Sequence, residues 1–196
     1  KPVFLPGEEI TRDRPLKGWK KLNAWFYDLL DKNQIAADSA TLKRGWYLAD
    51  STQSVDYTDG SQVFPNDDLA TLITRLRTEG LIDKNANTPI GSRFAITWHE
   101  WMNVLLPALA AELGIASAQL RLERAIEFNA IGNLYDDQRG RFNVWEWFAD
   151  LYGTARRLFG GGRGNDGLAN VCYGLPSNRH GLMAGRPVVC FVSAAA

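Results

Sequence analysis

The spacing of apolar positions changes several times along this chain, and each change marks an element. Trp19, Leu22, Trp25, Phe26, Leu29 and Leu30 fall on one stripe at helical spacing after Pro15, while Lys20, Lys21, Asp28 and Asp31 face away. That pattern predicts an amphipathic helix. Residues 32–64 are polar and turn-rich, with Gly45-Trp-Tyr-Leu48 as a short strand and Asp59-Gly60 as a hairpin-type turn. Leu69, Leu72, Ile73 and Leu76 then repeat at i, i+3, i+4 and i+7, in a helix expected to be capped by Asn66 and ended by Gly80. Thr97 and Glu100 form a capping box ahead of Trp98, Trp101, Leu105 and Leu109, in a helix that Pro107 should kink or split. Ser117 is expected to open one more helix. These stripes are read as core, because an amphipathic helix normally buries its apolar face.

The C-terminal part behaves differently. From Phe142 to Leu151 the chain is dense in large rings, with Trp145, Trp147 and Phe148 within four positions. Each ring can bury roughly 150–250 Å², so Trp145 and Trp147 are expected to be well buried. The periodicity then vanishes: residues 160–185 hold eight glycines, with Asn, Asp, Ser and Pro among them. The chain closes on Arg186-Pro-Val-Val-Cys-Phe-Val192, a β-branched and aromatic run that reads as a buried strand. Strands at Val144–Phe148 and Pro187–Val192 would clamp both ends of the glycine-rich stretch. A linker needs no such anchors, so the stretch reads as a surface held between two strands.

Composition narrows the function classes. The chain has 196 residues, 45% of them hydrophobic and 22% charged, which is ordinary globular usage for one domain with an elaborated N-terminal part. Lys+Arg and Asp+Glu are equal at 22 each, so no basic field recommends nucleic acid as a partner. No apolar run approaches the ~18 residues of a membrane span, and no signal peptide is visible. Two cysteines do not make a disulfide framework.

Several blocks resemble a known family. Asn143-Val-Trp-Glu-Trp147, Tyr152, Arg157-Leu-Phe-Gly-Gly161, Pro176-Ser-Asn-Arg179 and Gly185-Arg-Pro-Val188 look like the C-terminal half of formylglycine-generating-enzyme-type C-type lectin domains. Arg121-Leu-Glu-Arg-Ala-Ile-Glu-Phe128 is similar to a helix of the same family that precedes those blocks. The likeness covers residues 120–192. It implies an α+β C-type lectin fold, with small twisted antiparallel sheets and packed helices. Residues 1–115 would be a helical scaffold part of the same domain, and 116–193 the lectin core, with a variable region at about 155–190. Within the family, the tail most resembles the variable proteins of diversity-generating retroelements, whose C-terminal repeat is rewritten at adenines by an error-prone reverse transcriptase.

Candidate chemistry is sparse. The enzymes of this family are oxidases that hold copper on a close cysteine pair, and soft thiolates suit that metal. Here Cys172 and Cys190 lie eighteen positions apart, with Cys190 in the terminal strand. The oxidase activity is therefore not carried over; Cys190 is read as packing, Cys172 as exposed and incidental, and a disulfide between them stays open. His99 and His180 are the only histidines, and no HExxH, GxSxG or P-loop is present. His99 reads as a surface or capping residue. Gly160-Gly-Gly-Arg-Gly164 lacks the Lys-Ser/Thr pair of a phosphate cradle. Calcium-dependent sugar binding in lectins uses oxygen-bearing motifs, of which only Asn165-Asp166 is a trace. Asp136, Asp137 and Glu146 are equally readable as ligands of a structural calcium, as surface charge or as helix caps.

Recognition by a displayed surface remains. Between Gly160 and Gly185 the side chains cross nearly every chemical class without period. Gly, Arg, His, Leu, Cys, Tyr and Asp are all reachable from an asparagine codon by changing its adenines; Met183 is not. The candidate ligand-binding residues are Gly162, Arg163, Gly164, Asp166, Cys172, Tyr173, Leu175, Arg179, His180, Leu182 and Met183. Tyr and Arg are frequent binding hot spots. The expectation is a binding protein, not an enzyme, with no catalytic residue, metal or cofactor. Its partner would be a protein or cell-surface ligand, met at a virion or cell surface. The rivals are an oxidase of the formylglycine type and a structural protein of a virion or surface appendage.

Overall fold

The computed structural model describes residues 1–13, 19–59 and 61–191. Pro15, Gly60, Val192 and the Ser193–Ala196 tail lie outside the described residues. The fold is α+β, with two small sheets and helices packed against them. In chain order the strands and helices are β1 (Pro2–Leu5), α1 (Ala24–Asp31), β2 (Gly45–Ala49), α2 (Ala70–Thr78), α3 (Trp98–Glu100), α4 (Leu106–Leu113), β3 (Leu120–Leu122), α5 (Ala125–Leu134), β4 (Trp145–Tyr152), β5 (Arg156–Gly161), β6 (Val171–Gly174), β7 (Met183–Gly185) and β8 (Pro187–Phe191). One sheet has the order β1-β2-β8-β3 and the other β6-β5-β4-β7. The first is antiparallel throughout. In the second, β4 pairs with β7 in parallel, so that sheet is mixed rather than antiparallel.

Local chemistry explains most of the boundaries. Asn23 starts α1 by accepting the Phe26 N–H on its side-chain oxygen at 3.1 Å, and its Nδ2 donates to Val171 O at 3.0 Å. The helix therefore begins at Ala24, and Trp19 and Leu22 pack ahead of it rather than on it. At α2 the expected cap is displaced. Asn66 takes a positive φ of 50° and Asp67 receives the Leu69 N–H at 2.9 Å, so the helix opens four residues after Asn66. Its stripe is buried as expected, and Gly80 follows with φ 74°.

The Thr97–Glu100 box forms: Glu100 N–H donates to Thr97 Oγ1 at 3.1 Å and Thr97 N–H to Glu100 Oε2 at 2.8 Å. Residues Trp101–Leu105 then widen into a π-helical turn before α4. Pro107 has no N–H for the carbonyl four residues earlier, and a locally wider turn is one way to absorb that loss. After α4 the expected helix at Ser117 is replaced by a short 3-10 turn and β3. Leu120 and Leu122 both point inward and pair with β8, and that burial overrides the capping signal. The helix restarts only at α5, where Arg124 N–H donates to Glu127 Oε2 at 2.9 Å.

Two large apolar cores result, beside a smaller cluster of Phe64, Phe94, Val144 and Ala184. Phe26, Leu5, Ile126, Phe128, Phe148 and Val188 centre the one between α1, α5 and the first sheet. Ile73, Trp101, Leu105, Leu122 and Trp147 centre the other, between α2, α4 and the strands β3 and β4. Long stretches without any period are held by buried arginines. Arg93 pairs with Asp50 and Asp67, Arg139 with Glu123, and Arg186 with Glu146 at 2.9 Å. Arg77 donates to the carbonyls of Pro89, Ile90, Ser92 and Phe94 at 2.7–3.0 Å. These contacts satisfy the backbone of loops that no helix or sheet covers.

Among the described residues no helix is long and apolar enough to cross a membrane.

Candidate recognition surface

The glycine-rich stretch is short strands and tight turns fastened to the body. Gly162 N–H donates to Val144 O at 2.8 Å, and Arg163 N–H to Phe142 O at 3.0 Å. The buried Asn170 side chain donates to Gly161 O at 2.7 Å. Gly167 lies against Gly140, each at a positive φ (55° and 70°), and a Cβ on either would run into the other segment's backbone. Further on, Asn178 N–H closes a turn on Leu175 O at 2.9 Å, and Met183 N–H another on His180 O at 2.9 Å.

This course opens a cavity of about 270 Å³ lined by Trp145, Trp147, Phe159, Asn178, His180, Leu182 and Met183. Alternation along β4 places Trp145 and Trp147 on one face of the mixed sheet, and Phe159 stands edge-on to both, at 5.1 and 5.6 Å. Trp147 is fully buried, with its Nε1–H on Ile96 O at 3.2 Å. Trp145, expected to be buried too, is only partly so, because one side of its ring walls the cavity. Ring geometry of this kind favours an apolar or aromatic guest. Asn178 and His180 are exposed and put polar groups on the cavity's lining.

The sequence-predicted residues divide between places. His180, Leu182 and Met183 line the cavity, with Met183 buried in β7 and so part of its floor. Gly162 is buried against the indole of Trp145 and marks the cavity's edge. Arg163, Gly164 and Asp166 lie on the adjoining turn, all exposed. There Arg163 meets Asp56 at 3.1 Å and Asp166 meets Lys20 at 2.7 Å. Tyr173 points to the opposite face of the sheet, where it stacks on Trp25 at 5.6 Å, packs on Tyr152 at 4.7 Å and lies under the guanidinium of Arg156. Leu175 is half-exposed in its turn.

Arg179 is the exception among them. It donates to Ala95 O at 2.6 Å and to Glu100 Oε1 at 2.7 Å, and pairs with Asp83 at 3.0 Å. Its guanidinium is largely committed to holding the 175–182 turn on the body. Sequence reasoning missed Asn178 and Phe159, and the contributions of Trp25, Tyr152 and Asp56 from outside the stretch. The i, i+2 alternation of Trp145 and Trp147 was the signal for a sheet face.

Cys172 on β6 and Cys190 on β8 are both free, so the open disulfide does not form. Cys190 is buried as expected, while Cys172 is half-buried rather than exposed. The carboxylates weighed for calcium meet arginines instead: Asp136 with Arg139, Asp137 with Arg141, Glu146 with Arg186. Among the described residues no group of three or more His, Cys, Asp or Glu could hold a metal ion. Comparison of the chain with protein-family models, with curated proteins and with solved structures found no match.

Proposed function

We propose that this chain is a binding protein with a C-type lectin fold of the formylglycine-generating-enzyme type, whose residues ~155–190 display a surface diversified by a retroelement. One observation carries the reading: outside the 175–182 turn, which Arg179 anchors, the backbone of the stretch is fastened by groups other than the display side chains. Val144 O, Phe142 O, Asn170 and Asn23 hold it, while Arg163, Leu175, His180 and Leu182 keep exposed or part-exposed side chains. Such a frame lets contact residues change while the main chain keeps its course. It also lowers the ordering cost that a free glycine-rich loop incurs on binding. Two small sheets with packed helices agree with the fold that the motif blocks imply.

The partner in this reading is a protein or cell-surface ligand that inserts an apolar group into the cavity walled by Trp145, Phe159 and Leu182. The test is genetic. A near-copy of the DNA encoding residues ~150–192, differing chiefly at adenines and lying beside a reverse-transcriptase gene, is expected in the genome of origin. A genome with neither element would overturn the diversification reading.

A further inference from the structure

At the end of the first sheet where β2 begins and β8 ends lies a second cavity, of about 300 Å³, lined by Lys43, Arg44, Tyr47, Ala118, Arg121, Arg124 and neighbours including Cys190 and Phe191. Four cationic residues contribute to its lining, of which Arg124 also donates to the carbonyls of Asp38 and Thr41 and Arg121 to that of Leu122. The carboxylates paired to them are Glu127, which takes Arg121 at 2.7 Å and Arg124 at 3.2 Å, and Asp38, which takes Lys43 at 3.3 Å. Four positive charges against two negative ones leave two positive charges over. The chain as a whole is neutral, so this is a local concentration. Glu127 is fully buried behind Arg121 and Arg124, and the pair holds its carboxyl below the usual range although burial pushes the other way. Its charge is spent on those two guanidiniums. Arg44 meets no carboxylate among the ion pairs of the described residues; its guanidinium lies over the Phe4 ring at 5.8 Å.

The walls between these cations are apolar or aromatic: Tyr47, Ala118, Phe191 and the Cys190 side chain. Tyr47 turns its hydroxyl to Lys43 O at 2.9 Å, and its ring, mostly buried in the first core, shows only an edge to the cavity.

We propose that this cavity binds a small organic phosphate monoester, its dianion set among Lys43, Arg44, Arg121 and Arg124 and its apolar body against Tyr47 and Phe191. Guanidinium groups favour phosphate oxygens over most other anions, since their forked N–H groups match the geometry. The phosphate's double charge equals the excess that the lining carries. The site lies apart from the display surface and does not depend on the reading given there.

Isothermal titration calorimetry of the whole chain with phenyl phosphate, inorganic phosphate and phenol tests this. Phenyl phosphate is expected to bind, inorganic phosphate more weakly, and phenol not measurably. Lys43 and Arg44 are exposed, so the double variant Lys43→Glu with Arg44→Glu should keep its melting temperature and weaken phenyl phosphate by at least about tenfold. Ala118→Trp, at an exposed position on the rim, should block the ester and keep the fold. No heat with phenyl phosphate, or equal affinity in both variants, would overturn the proposal. Equal affinity for inorganic phosphate and the ester would overturn its apolar half.

Discussion

Arg186 Nε donates to Glu146 Oε1 at 2.9 Å, and both side chains are buried. The contact fastens the residue just before β8 to the start of the ring-rich strand β4. The same guanidinium reaches Thr52 O at 2.8 Å, so one side chain joins both sheets and a polar loop. Arg186→Met should cost about 3–5 kcal/mol, because Glu146 would be left buried without its partner. Pairing it with Glu146→Met should recover part of that loss. Urea unfolding of the single and double variants measures the coupling, and strictly additive losses would show that the pair contributes nothing as a unit.

Scaffold and display should respond differently to truncation. Trp147→Ala removes a fully buried ring and should cost about 3–5 kcal/mol. Arg163→Ser and His180→Ser, both at exposed positions, should stay within ~0.5 kcal/mol. Trp145→Ala should fall between the two, since its ring is half in the core and half in the cavity wall. Thermal melts of the four variants check the order.

Stability should depend on pH through Asp150. Burial raises its carboxyl from 3.8 to about 6, although the Ala125 N–H it accepts at 2.7 Å works in the opposite direction. The folded protein thus holds this proton more tightly than the unfolded chain does. That contribution is complete below the unfolded value of 3.8 and is lost as pH rises through about 6. Asp150→Asn keeps an acceptor for Ala125 and removes the titration. The stability of the natural chain minus that of the variant should therefore fall by up to roughly 3 kcal/mol between about pH 4 and pH 7. A flat difference across that window would show that Asp150 is ionised throughout.

Arg179 should behave as an anchor. Arg179→Gln removes its contacts to Ala95 O and Glu100. The cost should be about 1 kcal/mol, since the group is partly exposed. Hydrogen exchange of residues 175–182 should speed up more than exchange elsewhere. Unchanged exchange there would assign the turn's position to its backbone bonds alone.

Replacing Arg163, Tyr173, Leu175, His180 and Leu182 together with Ser or Asn tests the display reading. The circular dichroism spectrum should be nearly unchanged, while a graft of residues 155–185 from a sibling protein should transfer that sibling's partner. Collapse of the fold under the replacements would make those side chains structural.

Much of this was legible where a local rule had no rival. The Thr97–Glu100 box, the Leu69–Leu76 stripe, the strand from Gly45 and the terminal strand each follow from spacing within a dozen residues. Where distant partners decide, local signals misled. Ser117 looks like a cap, yet Leu120 and Leu122 find β8 some seventy residues on. Arg77, Arg93, Arg139 and Arg186 are indistinguishable in composition from surface arginines, and only the fold shows them buried. The cavity needs β4, β5 and the turn before β7 side by side, which no single window contains.

The contact of Gly140 with Gly167 has a genetic side. Every glycine codon begins with two guanines and is silent at its third base. A polymerase that errs only opposite adenine therefore passes over a template glycine, whatever it does to the codons around it. Gly140 lies upstream of the proposed variable region and Gly167 inside it, and neither tolerates a side chain against the other. Under the proposed diversification, a template that encodes glycine at position 167 passes the seam on unchanged through every round of variation, whereas an asparagine codon there would break it in most rounds.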